Sequence, residues 1–210
     1  MTKHGVGLSL PNRGVLFGAT TVREMLDLAT EADRSGFFTS VWVGDGLISK
    51  PRLESVVSLS AIAAVTSTVR LGVCCLATFP LRHPVLFAAQ WASLDVASDG
   101  RTQLAVCLGA TTERSGQSVA AELRAMGVAG GERVARFEEG VEAVRALWAG
   151  PTPTWAGSWT WTGSTCCPSR CRTRARSGSR ATRTRTGSRR SGSPRPSTGS
   201  GASPTAGSPR

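Results

Sequence analysis

The last 60 residues of this chain, Pro151 to Arg210, contain no Asp, Glu, Lys or His, and no Val, Leu, Ile, Met, Phe, Asn or Gln. What remains is Ser, Thr, Arg, Gly, Pro and Ala, with three Trp and three Cys. A segment without aliphatic side chains buries too little apolar area to offset the entropy of ordering it. The composition therefore predicts a disordered basic tail over 151–210 that cannot fold by itself. All 14 acidic residues lie in 1–150. The 11 tail arginines account for the whole formal charge of +11, and residues 1–150 are neutral overall.

Other absences narrow the field. No run of about 18 apolar residues exists, so no membrane helix is expected. Met1 to Pro11 lacks the apolar core of a secretory signal, which makes the cytoplasm the expected location. The tail cysteines Cys166, Cys167 and Cys171 have neither a histidine nor a second cysteine cluster beside them, so no metal site is expected. Cys74, Cys75 and Cys107 stand in apolar, strand-like runs and read as buried structural thiols. No G-x-G-x-x-G turn follows the first apolar run, and no G-x-x-x-x-G-K occurs anywhere.

What is present in 1–150 is alternation. Val6 to Leu10, Ser40 to Val43, Arg70 to Ala77 and Thr102 to Leu108 read as strands. Helical patterns lie between them: one opened by the capping-box spacing Thr21 to Glu24 and stopped near Ser35-Gly36, then about 52–66 and 84–96. Two further helices, about 117–126 and 132–148, follow the last strand; the second carries Val134, Phe137, Val141, Val144 and Leu147 at helical spacing. In the helix opened at Thr21, Val22, Met25, Leu26 and Ala29 share a face. Four strand–helix units imply an α/β fold of parallel βαβ crossovers. Either an open doubly wound sheet or half of an eight-stranded barrel fits, and the missing nucleotide fingerprints favour the barrel.

The order of short motifs completes the reading. Gly5-Val-Gly-Leu-Ser-Leu-Pro is followed by Gly36, then by Val41-Trp42-Val43-Gly44-Asp45. Arg70-Leu-Gly, Arg82-His83-Pro84, Leu94-Asp95, Ser98-Asp99-Gly100-Arg101 and a strand running to Gly109 come next, and Arg136 to Gly150 closes the set. Over about residues 4–150 this resembles the luciferase-like flavin-dependent oxidoreductases. The resemblance implies the first half of a TIM-type (β/α)8 barrel, with FMN or a deazaflavin coenzyme held at the C-terminal strand ends and a small-molecule substrate. It places Asp45 near the cofactor ring and Gly109 where the backbone closely approaches it. It puts the Cys74–Cys75 bond where related enzymes have a non-prolyl cis peptide supporting the ring. Asp45 before a glycine also reads as a plain turn residue, and His83 before Pro84 as the entry to a helix.

Two positions depart from the deazaflavin-dependent branch. Gly46 stands where those members often have His, and Ala110 where they often have an acid, so both of that branch's acid/base candidates are absent and no catalytic residue is assigned. After residue 150 the family pattern stops. Codons built from the third base of each tail residue and the first two bases of the next permit Leu-Leu-Pro-Glu-Pro-Val-Gln-Asp-Pro around Cys166 to Arg174. Over 174–183 they permit Gly-Pro-Val-Trp-Ile-Ala-Gly-Asn-Pro. Both resemble what the family carries next, which points to a frameshift between about Trp148 and Trp159. The expected domain division is therefore 1–150, a partial barrel, and 151–210, an out-of-frame tail.

A half barrel exposes strand edges and its apolar interior. The chain is thus expected to be inactive as it stands, and to aggregate or pair as a homodimer. The competing reading is a basic-tailed protein that contacts nucleic acid or anionic surfaces through its arginines, with Trp155, Trp159 and Trp161 stacking on bases. The arginines are scattered among Thr, Ser and Gly rather than clustered, so no specific nucleic-acid partner is expected.

Overall fold

The computed structural model describes residues 5–110, 112–150 and 152–164. β1 (Val6–Ser9), β2 (Phe38–Val43), β3 (Arg70–Val73) and β4 (Thr102–Gln103) form one parallel sheet, ordered as they occur in the chain. α1 (Val22–Ser35), α2 (Ser55–Val65) and α3 (Pro84–Ala97) follow the first three strands. α4 (Thr112–Ala125) and α5 (Arg133–Ala149) follow the fourth. A doubly wound sheet reverses direction and takes its strands out of order; consecutive order is that of a barrel wall, as expected.

Local chemistry explains the helix limits. The Thr21 side chain accepts from the Glu24 amide at 3.1 Å, and the Glu24 carboxylate accepts from the Thr21 amide at 2.8 Å. Gly36, at φ +63°, ends α1 in the left-handed region that glycine adopts freely. Met25, Ala29 and Ala32 form the buried stripe of α1, whereas Val22 in its first turn is 45% exposed and does not share it. Val134 at the start of α5 is likewise exposed, while Val144 and Leu147 further along are buried.

Val41, Val43, Leu71 and Val73 are fully buried. They join Leu59, Ile62, Phe87 and Trp91 in the main core, where burying each such side chain contributes about 1.5–3 kcal/mol. The alternate positions face the other way. A Cβ on Gly7 would lie 2.6 Å from Trp42 Nε1, and one on Gly72 would lie 2.3 Å from two carbons of the Trp42 ring. The indole thus lies flat between two glycines, its Nε1 donating to Ser40 Oγ at 2.8 Å. This open face was expected to be an apolar barrel interior. It carries instead small and polar residues, Gly7, Ser40 and Gly72, around a single tryptophan, because a flat ring leaves room only for glycine beside it.

The ladders are shorter than predicted. β3 ends at Val73 and β4 at Gln103, with one further bridge between Leu76 and Val106. Among the described strands β4 pairs only with β3, and an edge strand has hydrogen-bonding partners on one side alone. The cysteines there are also not buried thiols. Cys74 is exposed, one position past Val73 and so turned to the open face. Cys75 and Cys107 are half-buried and joined as a disulfide with their Cα atoms 6.0 Å apart.

The N-terminal end of the sheet is held by the carboxylate of Asp33. The Asp33 carboxylate accepts from the amides of Ser67, Thr68 and Val69 and from the Ser67 and Thr68 hydroxyls, at 2.7–3.1 Å. Partial burial pulls its pKa up, but the bonds from Val69, Ser67 and Thr68 outweigh this and hold the carboxyl far below its usual range. A depressed carboxyl pKa stabilises the fold fully above the unfolded value of about 3.9, and that contribution is lost as pH falls below it. Thermal melts between pH 6 and pH 3 are therefore expected to show falling stability. Asp33→Asn should be less stable at pH 6 and shallower in its pH dependence; a slope equal to that of the parent would exclude this role.

The tail departs from the expectation of disorder at its beginning. β5 (Thr152–Ala156) and β6 (Thr160–Ser164) pair as an antiparallel hairpin. Its turn docks on α5: Trp159 is buried, Arg136 stacks over its ring at 4.6 Å, and the Ser158 amide donates to Glu139 at 2.6 Å. A tryptophan buries far more area than its neighbours, and this one packs beside Gly140, where a Cβ would lie 3.1 Å from Phe79 and 3.4 Å from the indole. Cys166, Cys167, Cys171 and the tail arginines lie outside the described residues.

Candidate functional site at the strand C-terminal ends

The loops after β2, β3 and β4 meet α4 and the start of α5 around a cavity of about 220 Å³. In barrels this is the face where catalytic sites are built. Asp45 and Gly109, both expected at the site, line the cavity; Cys74 and Cys75 do not. Cys74 sits on the open face beside it, with Sγ 3.8 Å from Ser9 Oγ.

Asp45 does not stand free. Its side chain is 2% exposed. It accepts from the Thr78 amide at 2.8 Å, from Ser55 Oγ at 3.0 Å and from Arg82 at 3.3 Å. Arg82 also pairs with Glu54 at 2.8 Å and donates to Thr78 Oγ1. One carboxylate thus ties the end of β2 to the start of α2 and to the loop after β3. The turn-residue reading understated this: the residue is a junction of three elements.

Gly109 has φ +72°, and a Cβ there would lie 3.0 Å from the Ala77 carbonyl oxygen. Only glycine fits without strain. The Arg133 guanidinium donates to the Leu108 carbonyl, which closes the loop after β4 against α5. His83 is the exposed residue ahead of Pro84 at the start of α3, and its carbonyl accepts from Phe87, as a helix entry requires.

Two further residues shape the site and left little trace in the sequence. Asn12 is 1% exposed; its amide donates to the Gly44 and Leu53 carbonyls and accepts from the Gly44 amide. Glu122 is 7% exposed and accepts from the amides of Leu47, Ile48 and Ser49 and from Ser49 Oγ. Burial pushes its pKa up, but the bonds from Ile48, Ser49 and Leu47 prevail and the carboxyl lies below its ordinary value. An Asn after Pro11 reads as a turn, and a Glu inside α4 reads as surface; only the folded chain brings their partners to them.

Ligand sites of whole small molecules usually enclose about 300–1,000 Å³. At about 220 Å³ this cavity is smaller than that. Among the described residues no cluster of three or more His, Cys, Asp or Glu is placed to hold a metal ion. No helix among them is long and apolar enough to cross a membrane.

A family model described as luciferase-like monooxygenase matches residues 2–188. An F420-dependent glucose-6-phosphate dehydrogenase of Beutenbergia cavernae is 33% identical over 142 residues, which is 65% of this chain and 40% of that protein. An uncharacterised Mycobacterium tuberculosis protein is 35% identical over 117 residues, 52% of this chain and 38% of that one. Among solved structures, a monooxygenase from Streptomyces bottropensis superposes with a TM-score of 0.63 at 26% identity, covering 79% of this chain and 49% of its own. An F420-dependent secondary alcohol dehydrogenase, at 21% identity and a TM-score of 0.61, shares the fold and covers 79% and 48% respectively. The chain thus spans half or less of the length of each of these proteins.

Proposed function

Because the chain belongs to the luciferase-like monooxygenase family, we propose that it carries the first-half wall of an oxidoreductase site that uses FMN or a deazaflavin on a small-molecule substrate. The observation that supports this is the convergence of the loops after β2, β3 and β4 on one cavity at the strand C-terminal ends. A bound flavin or deazaflavin would supply the redox chemistry, and the protein the orientation and the exclusion of water.

In this reading Gly109 lets the backbone come close to the ring, and Cys74 and Cys75 support it from the end of β3. Asp45 acts as a positioning residue through Thr78 and Arg82, since its oxygens are taken up by those partners and Ser55. With Gly46 and Ala110 at the two acid/base positions, proton transfer is not assigned to any described side chain. Residues beyond 150 are read as out of frame, and the chain as a cytoplasmic one whose open face favours association with a second copy.

Titration of the purified full chain with FMN, followed by flavin fluorescence, tests the reading. Weak, sub-stoichiometric binding that weakens further in Gly109→Val is expected. A soluble monomer that retains stoichiometric flavin through gel filtration would overturn the one-wall reading, and no difference between parent and variant would remove Gly109 from the site.

A further inference from the structure

The cavity carries more positive charge than its carboxylates can neutralise. Lys50 and Arg52, on the loop after β2, and Arg133, at the start of α5, all line it. The two acids in the same wall are otherwise engaged: Asp45 with Thr78, Ser55 and Arg82, and Glu122 with the 47–49 backbone and Ser49. Among the described residues neither acid pairs with Lys50, Arg52 or Arg133.

Arg52 is the most telling of the three. Its Nε is buried and has no hydrogen-bond partner among the described residues. A buried donor without an acceptor is costly, and such groups in folded proteins call for an explanation. The guanidinium lies against Gly44, where a Cβ would be 2.8 Å from its Cζ. The loop that carries Lys50 and Arg52 is pinned by three amides donating to one Glu122 oxygen. Three cations lining one cavity, one of them with an unmet buried donor, in a space too small for a whole cofactor describe a subsite for a charged end group.

We propose that Lys50, Arg52 and Arg133 form an oxyanion subsite that takes a phosphate group of a small-molecule ligand. Arginine offers a planar fork suited to phosphate oxygens, and lysine a compact point charge. The phosphate can belong to the substrate or to the cofactor's side chain, and the chemistry of recognition is the same. The inference stands on the charge and geometry of the cavity, and extends the flavin reading without depending on it.

The test compares the full 210-residue chain with Arg52→Met and Lys50→Met, each of which keeps an unbranched side chain for packing. Inorganic phosphate is titrated at constant ionic strength, and thermal melting and calorimetry are recorded. The tail arginines are present in all three proteins, so phosphate drawn to them cancels in the comparison. Phosphate is expected to raise the melting temperature of the parent, with at least a tenfold loss of affinity in each variant. Equal protection of parent and folded variants would overturn the subsite. Should a methionine variant fail to fold, Arg52→Lys, which keeps the charge and loses the fork, must still bind more weakly than the parent, or the proposal fails.

FMN and riboflavin distinguish the sources. If the site takes the cofactor's phosphate, FMN binds more tightly than riboflavin and the difference disappears in Arg52→Met. If it takes a substrate phosphate, the two flavins bind alike and inorganic phosphate still binds in their presence. Phosphate protection without binding of either flavin would keep the subsite and remove the flavin reading.

Discussion

Replacing Arg101 with Ala is expected to destabilise the chain by about 3 kcal/mol or more, the largest effect of any single surface-reaching residue. The guanidinium donates to the carbonyls of Ser98, Val69, Ala63 and Thr66 and to Thr66 Oγ1, at 2.8–3.2 Å. The Ala63 and Thr66 carbonyls end α2, and that of Ser98 ends α3. A cation there satisfies carbonyls that helix ends leave unpaired and complements their dipoles. Partial burial draws the guanidinium's pKa down, opposed by Asp33 and Asp99, yet arginine stays charged. Truncation strands four carbonyls around one half-buried space, and hydrogen bonds to a charged group are each worth about 1.5–3 kcal/mol. Not all of that is lost, since water enters. With a urea slope of roughly 2 kcal/mol per molar, the midpoint should fall by about 1.5 M. Arg101→Lys, with three donors instead of five, should fall between. A shift no larger than that of an exposed arginine such as Arg34 would refute the assignment.

The second large effect is expected at Asp45. Asp45→Ala removes the acceptor for the Thr78 amide and the 3.0 Å acceptor for Ser55 Oγ, and leaves Arg82 with Glu54 as its remaining carboxylate partner. Breaking a buried, hydrogen-bonded charge pair by deleting one partner costs about 3–5 kcal/mol. Arg82 is 14% exposed and keeps Glu54, so the lower end of that range is expected. Asp45→Asn retains an acceptor oxygen and should lose only about 1 kcal/mol. Amide hydrogen exchange gives the specific readout: the Thr78 amide should exchange much faster in Asp45→Ala and only modestly faster in Asp45→Asn. A direct ring contact without a structural role would leave the apo-protein's stability and Thr78 exchange unchanged, and that result would return Asp45 to the cofactor.

Both sites bear on what could be read in advance. The helices were legible wherever a local signal marks the boundary: the Thr21–Glu24 box and Gly36 fixed both ends of α1, and Pro84 the start of α3. The family resemblance also placed Asp45 and Gly109 at the C-terminal end of the sheet, where both line the cavity. The partners of Asp45 were not legible, because Ser55, Thr78 and Arg82 are 10, 33 and 37 residues away. Asn12, Glu122 and the cations of the cavity were missed for the same reason. Each looks like an ordinary turn or surface residue until distant backbone arrives beside it.

The cysteines and the tail mark the limits of composition as a guide. Apolar neighbours made Cys74 look buried, but strand alternation turns it to the face that no helix covers. The lack of aliphatic residues made 151–210 look unable to order, yet Trp159 packs beside Gly140 and beneath Arg136.

What the amino-acid order determined by itself was the alternation of strands and helices, the helix caps and the neutrality of 1–150 beside a basic tail. These depend on dihedral preferences and periodicity within a few residues. The tertiary structure alone decided which charges are spent and which remain. Whether Asp45, Glu122 or Arg52 can meet a ligand depends on the acceptors and donors that folding brings within about 3 Å of them, the range of a hydrogen bond.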